Sequence, residues 1–163
     1  MKKWMTMMLA LVMAACCLTA CGSKKEEAPA EVTVDLTAFY SEVEAECGIP
    51  DGYMADLEGE MLESYYPGMT EIAAKQLVAK APMMSAVVNE MVFMQCESEE
   101  DAAAAAKILQ ERVTVQAEGG AWYPESMEAW SKGEVIQHGT YVAMVASAEF
   151  QSTIVEAFNA LFA

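Results

Sequence analysis

The residues with the clearest chemistry are Leu18-Thr19-Ala20-Cys21, which have the pattern of a bacterial lipobox. Lys2 and Lys3 supply a positive leading region, and Trp4 to Cys17 form an apolar run too short for an ordinary spanning helix. Small residues then precede a cysteine. In that order these features predict a cleaved export signal over residues 1–20 and a Cys21 thiol that accepts a diacylglyceryl group. Met13-Ala14-Ala15-Cys16 is a weaker box, since cleavage there falls inside the apolar run. One acyl chain holds a protein only marginally and two hold it stably, so modification at Cys21 predicts a stable anchor on the outer face of the cytoplasmic membrane.

Few other residues offer chemistry. His138 is the one histidine, which removes most metal sites and an ordinary Ser-His-Asp or Cys-His arrangement; beside Gly139 it reads as a turn residue. Glu97, Glu99, Glu100 and Asp101 lack the alternating ligands and glycine of a calcium loop, and three of them suit the first turn of a helix. No catalytic set, metal site or cofactor site is predicted. Of the five cysteines, Cys16 and Cys17 leave with the signal and Cys21 takes lipid, so Cys47 and Cys96 remain, either bridged or as buried thiols.

Tyr65-Tyr66-Pro67-Gly68 and Trp122-Tyr123-Pro124, with Trp130 one helical span later, are the candidate recognition residues. Aromatic rings beside prolines give rigid, amphipathic contact area at small entropic cost, suited to a peptide or a sugar ring. For any single ring the alternative is a cap on the end of the core. Met83, Met84, Met91 and Met94 read as core filling at strand positions.

Charge narrows the partners. The chain carries −16 over 163 residues, and loss of Lys2 and Lys3 with the signal takes this to −18 over 143. Such a field repels phosphate backbones, which excludes nucleic acid and favours a basic partner. After the signal, residues 21–34 form the acylated cysteine and a solvated tether spanning about 20 Å. Residues 35–163 suffice for a single domain.

The elements that must position these residues follow from periodicity. Asp35 or Thr37 caps a helix carrying Leu36, Phe39, Tyr40, Val43 and Cys47 on one face, and Gly48 with Pro50 stops it. Met61 to Tyr66 suggest a short helix. A short strand around Leu77-Val78, a bend at Pro82 and a long strand through Ala86–Cys96 follow; apolar residues at both parities place the long strand inside a sheet. Ser98 caps a helix that Gly119-Gly120 ends. Pro124 starts a short helix closed by Gly133, Val135-Ile136 and Tyr141–Ser147 form a hairpin, and an amphipathic helix runs from Glu149. The core order strand, helix, strand, strand, helix predicts an α+β fold: a two-layer sandwich, with a small, mainly antiparallel sheet and helices on one face.

The lipobox, the acidic tether, Ala81-Pro82-Met83-Met84-Ser85, Gly120-Ala121-Trp122-Tyr123-Pro124-Glu125 and Gly139-Thr140-Tyr141-Val142 together resemble a family of small lipoproteins from Gram-positive, Clostridia-type bacteria, catalogued as a domain of unknown function. The resemblance implies a surface lipoprotein and supplies no catalytic residues. The expectation is a non-enzymatic, lipid-anchored accessory or binding module contacting a protein, peptide or envelope component. The alternatives are an envelope hydrolase using paired carboxylates and a small solute-binding lipoprotein.

Overall fold

Every residue of the strand Asn89–Cys96 is buried, and the rest of the fold is arranged to cover it. The computed structural model describes residues 33–84 and 86–163; the lipobox, Cys21 and most of the tether lie outside the described residues. In chain order the elements are α1 (Leu36–Cys47), β1 (Met54–Asp56), α2 (Gly59–Tyr65), β2 (Ala74–Pro82), β3 (Asn89–Cys96), α3 (Glu99–Val115), α4 (Pro124–Ser131), β4 (Glu134–His138), β5 (Tyr141–Ser147) and α5 (Gln151–Ala160). The strands form one sheet in the order β1-β2-β3-β5-β4, and each neighbouring pair is antiparallel. The fold is α+β.

The layering differs from expectation. Successive side chains of a strand point to opposite faces, so Met91 and Phe93 of β3 pack with Ala143 and Val145 against Leu36, Phe39, Ile154 and Phe158 of α1 and α5. Val92, Met94 and Cys96 pack the other way, with Val142 and Met144, against Leu62 of α2, Ala102, Ala105 and Leu109 of α3 and Trp130 of α4. Helices therefore cover both faces, giving three layers instead of two. A strand apolar at both parities requires this, because either uncovered face would leave a row of apolar side chains in water. Cys47 joins the first cluster and Cys96 the second, so the two free thiols sit on opposite sides of the sheet.

Local signals act as their chemistry dictates. The Asp35 carboxylate accepts hydrogen bonds from the Thr37 and Ala38 amides, both 3.0 Å, and Gly48 closes α1 at φ 64°. The Ser98 hydroxyl accepts from the Asp101 amide at 3.1 Å and donates to the Asp101 carboxylate at 2.6 Å. Val34 is already part of the unit: its N–H donates to the Tyr141 hydroxyl and its carbonyl accepts from Gln76. Beyond the expected elements, β2 extends over Ala74–Pro82, an added strand, β1, pairs with its far end, and residues 86–88 belong to the turn before β3 rather than to the strand.

Candidate functional site

Glu90 is the second residue of β3 and faces the α3 side of the sheet, opposite in direction to Asn89 and Met91. A carboxylate there is nearly without solvent, at 4% exposure, and burying such a charge is costly unless it is paired and hydrogen-bonded. Arg112, three residues past buried Leu109 on α3, supplies the pairing. Its Nε donates to Oε1 at 3.0 Å and its Nη2 to Oε2 at 2.9 Å, the two-pronged geometry in which guanidinium and carboxylate fit best. Tyr66 donates a third hydrogen bond to Oε1 at 2.7 Å.

Two rings hold the guanidinium in place. Its Cζ lies 4.7 Å from the Tyr65 ring centroid and 5.4 Å from that of Trp130, within cation–π range of both. Burial works to lower the Arg112 pKa, but hydrogen bonding to Glu90 and its charge outweigh that, and the pKa ends above the ordinary value. The cation is permanent. Burial, then the Glu90 charge, raises the Tyr66 pKa well above that of a free tyrosine, so its hydroxyl remains a donor.

Above this pair lies a cleft of about 360 Å³, lined by Tyr65, Glu90, Arg112, Gln116, Trp122, Tyr123, Ser126 and Trp130, with Pro82 and Val87–Asn89 on the far wall. The turn from α3 into α4 shapes its mouth. A wide turn of π-helix over Gln116–Gly120 contains Gly119 at φ 130°, a conformation that favours glycine. A side chain on Gly120 would stand 2.8 Å from the Val115 carbonyl and 2.8 Å from the Gln116 amide nitrogen. The glycine pair thus permits the tight reversal that delivers Trp122 and Tyr123 to the cleft, 92% and 53% exposed. Pro124 then opens α4 at its first position, where its missing N–H costs nothing.

The structure brings together four of the five expected aromatic residues, in different roles. Trp122 and Tyr123 are surface rings at the mouth, Tyr65 is half-buried on a wall, and Trp130, 5% exposed, is a buried wall rather than an open contact. Tyr66 is corrected outright: at 0% exposure it is a core residue, because the strand it packs against carries Glu90, which needs its hydroxyl. The methionines divide as well. Met91 and Met94 fill the core, whereas Met83 and Met84, in the bend after β2, are 72% and 58% exposed.

Glu90 and Arg112 were not among the expected site residues. Their signal was an acid within the apolar run from Val87 to Met94 and the chain's one arginine, a pair that a doubly buried strand would need.

Other candidates lie elsewhere. His138 Nε2 is 2.7 Å from the Asn159 side-chain oxygen, and its ring stacks on Phe162 with centroids 4.7 Å apart, away from the cleft. Among the described residues no group of three or more histidines, cysteines or acids is placed to hold a metal ion. Glu90 is the one carboxylate among the residues lining the cleft, so no second acid faces it there. Among the described residues no helix is long and apolar enough to cross a membrane.

A family model described as "Domain of unknown function (DUF4358)" matches residues 49–147, from just after α1 through β5, and so takes in the whole cleft. Neither the curated proteins nor the solved structures contain a match.

Proposed function

The chain belongs to this DUF4358 family, and from that premise we propose that it is a lipid-anchored extracytoplasmic binding module whose recognition site is the Arg112 cleft. The observation that carries the reading is the state of Arg112. It is the only arginine in the chain, it is fixed by Glu90 along one edge and by two rings across its faces, and among the described residues nothing accepts a hydrogen bond from its Nη1. A rigid donor set beside two exposed rings is the composition of a recognition site: a few convergent polar groups among aromatic walls. The carboxylate is committed to three donors, which suits a structural and binding role better than proton transfer. Attachment to the outer face of the membrane is supported by the ordered run from Lys2 and Lys3 to Leu18-Thr19-Ala20-Cys21.

Cross-linking in intact cells, followed by mass spectrometry of what is captured, tests both halves. The full chain should carry lipid that is lost in Cys21→Ser. It should capture an envelope component or extracytoplasmic protein that is lost in the double variant Trp122→Ala, Tyr123→Ala. That variant should melt as the wild type does, because both side chains stand largely in water. An unacylated chain, or capture unaffected by the double variant, refutes the corresponding half.

A further inference from the structure

We infer that the Arg112 cleft takes a neutral, hydroxyl-rich ring, the chemistry of a glycan unit, seated with its apolar face against Trp122. The inference rests on the reading of the cleft as a binding site and names what would fill it.

Each other ligand class meets an obstacle in the cleft itself. An anion would be drawn to Arg112, but Glu90 already neutralises that charge at 2.9 Å, and the protein as a whole carries −16. A cation would favour a cage of aromatic faces, but the guanidinium already lies over the Tyr65 and Trp130 rings and repels a second positive charge. A wholly apolar group would leave the unmatched N–H groups of Arg112 dry, which is costly. A sugar ring meets none of these obstacles. Its hydroxyls accept from Arg112 Nη1 and exchange hydrogen bonds with the side chains of Gln116 and Ser126, and its C–H face packs on an indole.

Trp122 supplies the second observation. An indole that is 92% exposed gives the fold almost no burial, yet the turn that presents it needs Gly119 at φ 130° and a residue without a side chain at 120. A flat ring held out at the rim of a polar cleft is the arrangement that stacks on the face of a pyranose. The volume of about 360 Å³ sits at the small end of the range for small-ligand sites, in keeping with one or two rings rather than a long chain.

The test places the purified full chain in detergent on two arrays, one of neutral oligosaccharides and one of peptides of mixed charge, beside Trp122→Ala and Trp122→Phe. Binding to a subset of the neutral oligosaccharides is expected, weakened about tenfold or more in Trp122→Ala and largely kept in Trp122→Phe, which retains a flat ring. A blue shift of tryptophan emission on adding the bound oligosaccharide, absent in Trp122→Phe, would place the sugar on that indole. Peptide binding that Trp122→Ala removes, with no oligosaccharide bound, overturns the glycan inference and leaves the cleft as the binding site. Binding to neither array, or binding indifferent to both variants, overturns both.

Discussion

Arg112 and Glu90 join α3 to the central strand through two parallel hydrogen bonds, 3.0 and 2.9 Å long, with the Glu90 side chain 5% and the Arg112 side chain 19% exposed. Neither charge could be left there alone. Arg112→Met should therefore cost about 3 kcal/mol, mostly the penalty of an unpaired buried carboxylate. Replacing Glu90 by Met as well should recover part of that loss, because two apolar side chains of similar length need no partner, and the remainder reflects the buried Tyr66 hydroxyl, which loses its acceptor. Urea unfolding of the wild type, both single variants and the double variant closes the cycle. Equal, additive losses from the two single changes would show the pair to be uncoupled.

Tyr66 links this pair to pH. Burial and then the Glu90 charge raise its pKa well above the usual tyrosine value, and burial followed by Asp101 pushes the Cys96 thiol from 9.0 up to about 11. In both cases the folded state holds its proton more tightly than the unfolded chain does. The stabilisation is therefore complete below the unfolded pKa and is lost as pH rises towards the folded one. Unfolding free energy should decline from about pH 9 upward. Tyr66→Phe should cost about 1–2 kcal/mol at pH 7 through the lost hydrogen bond to a charged acceptor, and should flatten the decline above pH 10. A Tm profile unchanged between pH 8 and pH 11 would contradict this.

Much of the fold is legible in the residues, and the misses have a common cause. Caps and stops are local, so Asp35, Gly48, Ser98, Gly119 and Pro124 announce their elements without help from the rest of the chain. The parity of β3 also signals its central position, but both of its faces then need cover, and that obligation gives α1 and α5 their place. β2 is hidden because Lys75, Gln76 and Lys80 interrupt its apolar pattern; Lys80 is in fact held by Asp56 at 2.6 Å and lies over the Tyr40 ring. The site was half visible. Aromatics beside prolines point to Trp122, Tyr123 and Tyr65, but the burial of Tyr66 depends on a residue 24 positions away, and no local pattern carries such a pairing.

Asn89 is the neighbour of Glu90 with the opposite fate. It is 4% exposed, its amide nitrogen lies 3.7 Å from the Met54 sulfur, and its Oδ1 has no hydrogen-bond partner among the described residues. It borders a hollow of about 270 Å³ between Ile49, Tyr53, Val88 and Phe150. An unmatched buried acceptor costs about 1–3 kcal/mol, and a similarly shaped apolar side chain removes the cost. Asn89→Leu should accordingly raise stability by about 1 kcal/mol in urea unfolding. Destabilisation would mean that the amide is matched by something bound in that hollow.

The two cysteines of the folded unit should differ sharply in reactivity. Cys96 is fully buried beneath α3, and at a pKa of about 11 roughly 0.1% of it is thiolate at pH 8. Cys47 is only half-buried at the end of α1, its pKa raised by burial and then by Glu46. Iodoacetamide at pH 8 should label Cys47 slowly and Cys96 only after denaturant is added, as read by peptide mass spectrometry. Mild oxidation of the folded chain should leave the two unbridged, because the sheet lies between them and a disulfide needs Cα atoms within about 7 Å. A Cys47–Cys96 linked peptide recovered from native protein would require a rearranged sheet, and labelling of Cys96 ahead of Cys47 would mean that α3 lifts from the sheet more readily than its buried alanines and the Arg112–Glu90 pair allow.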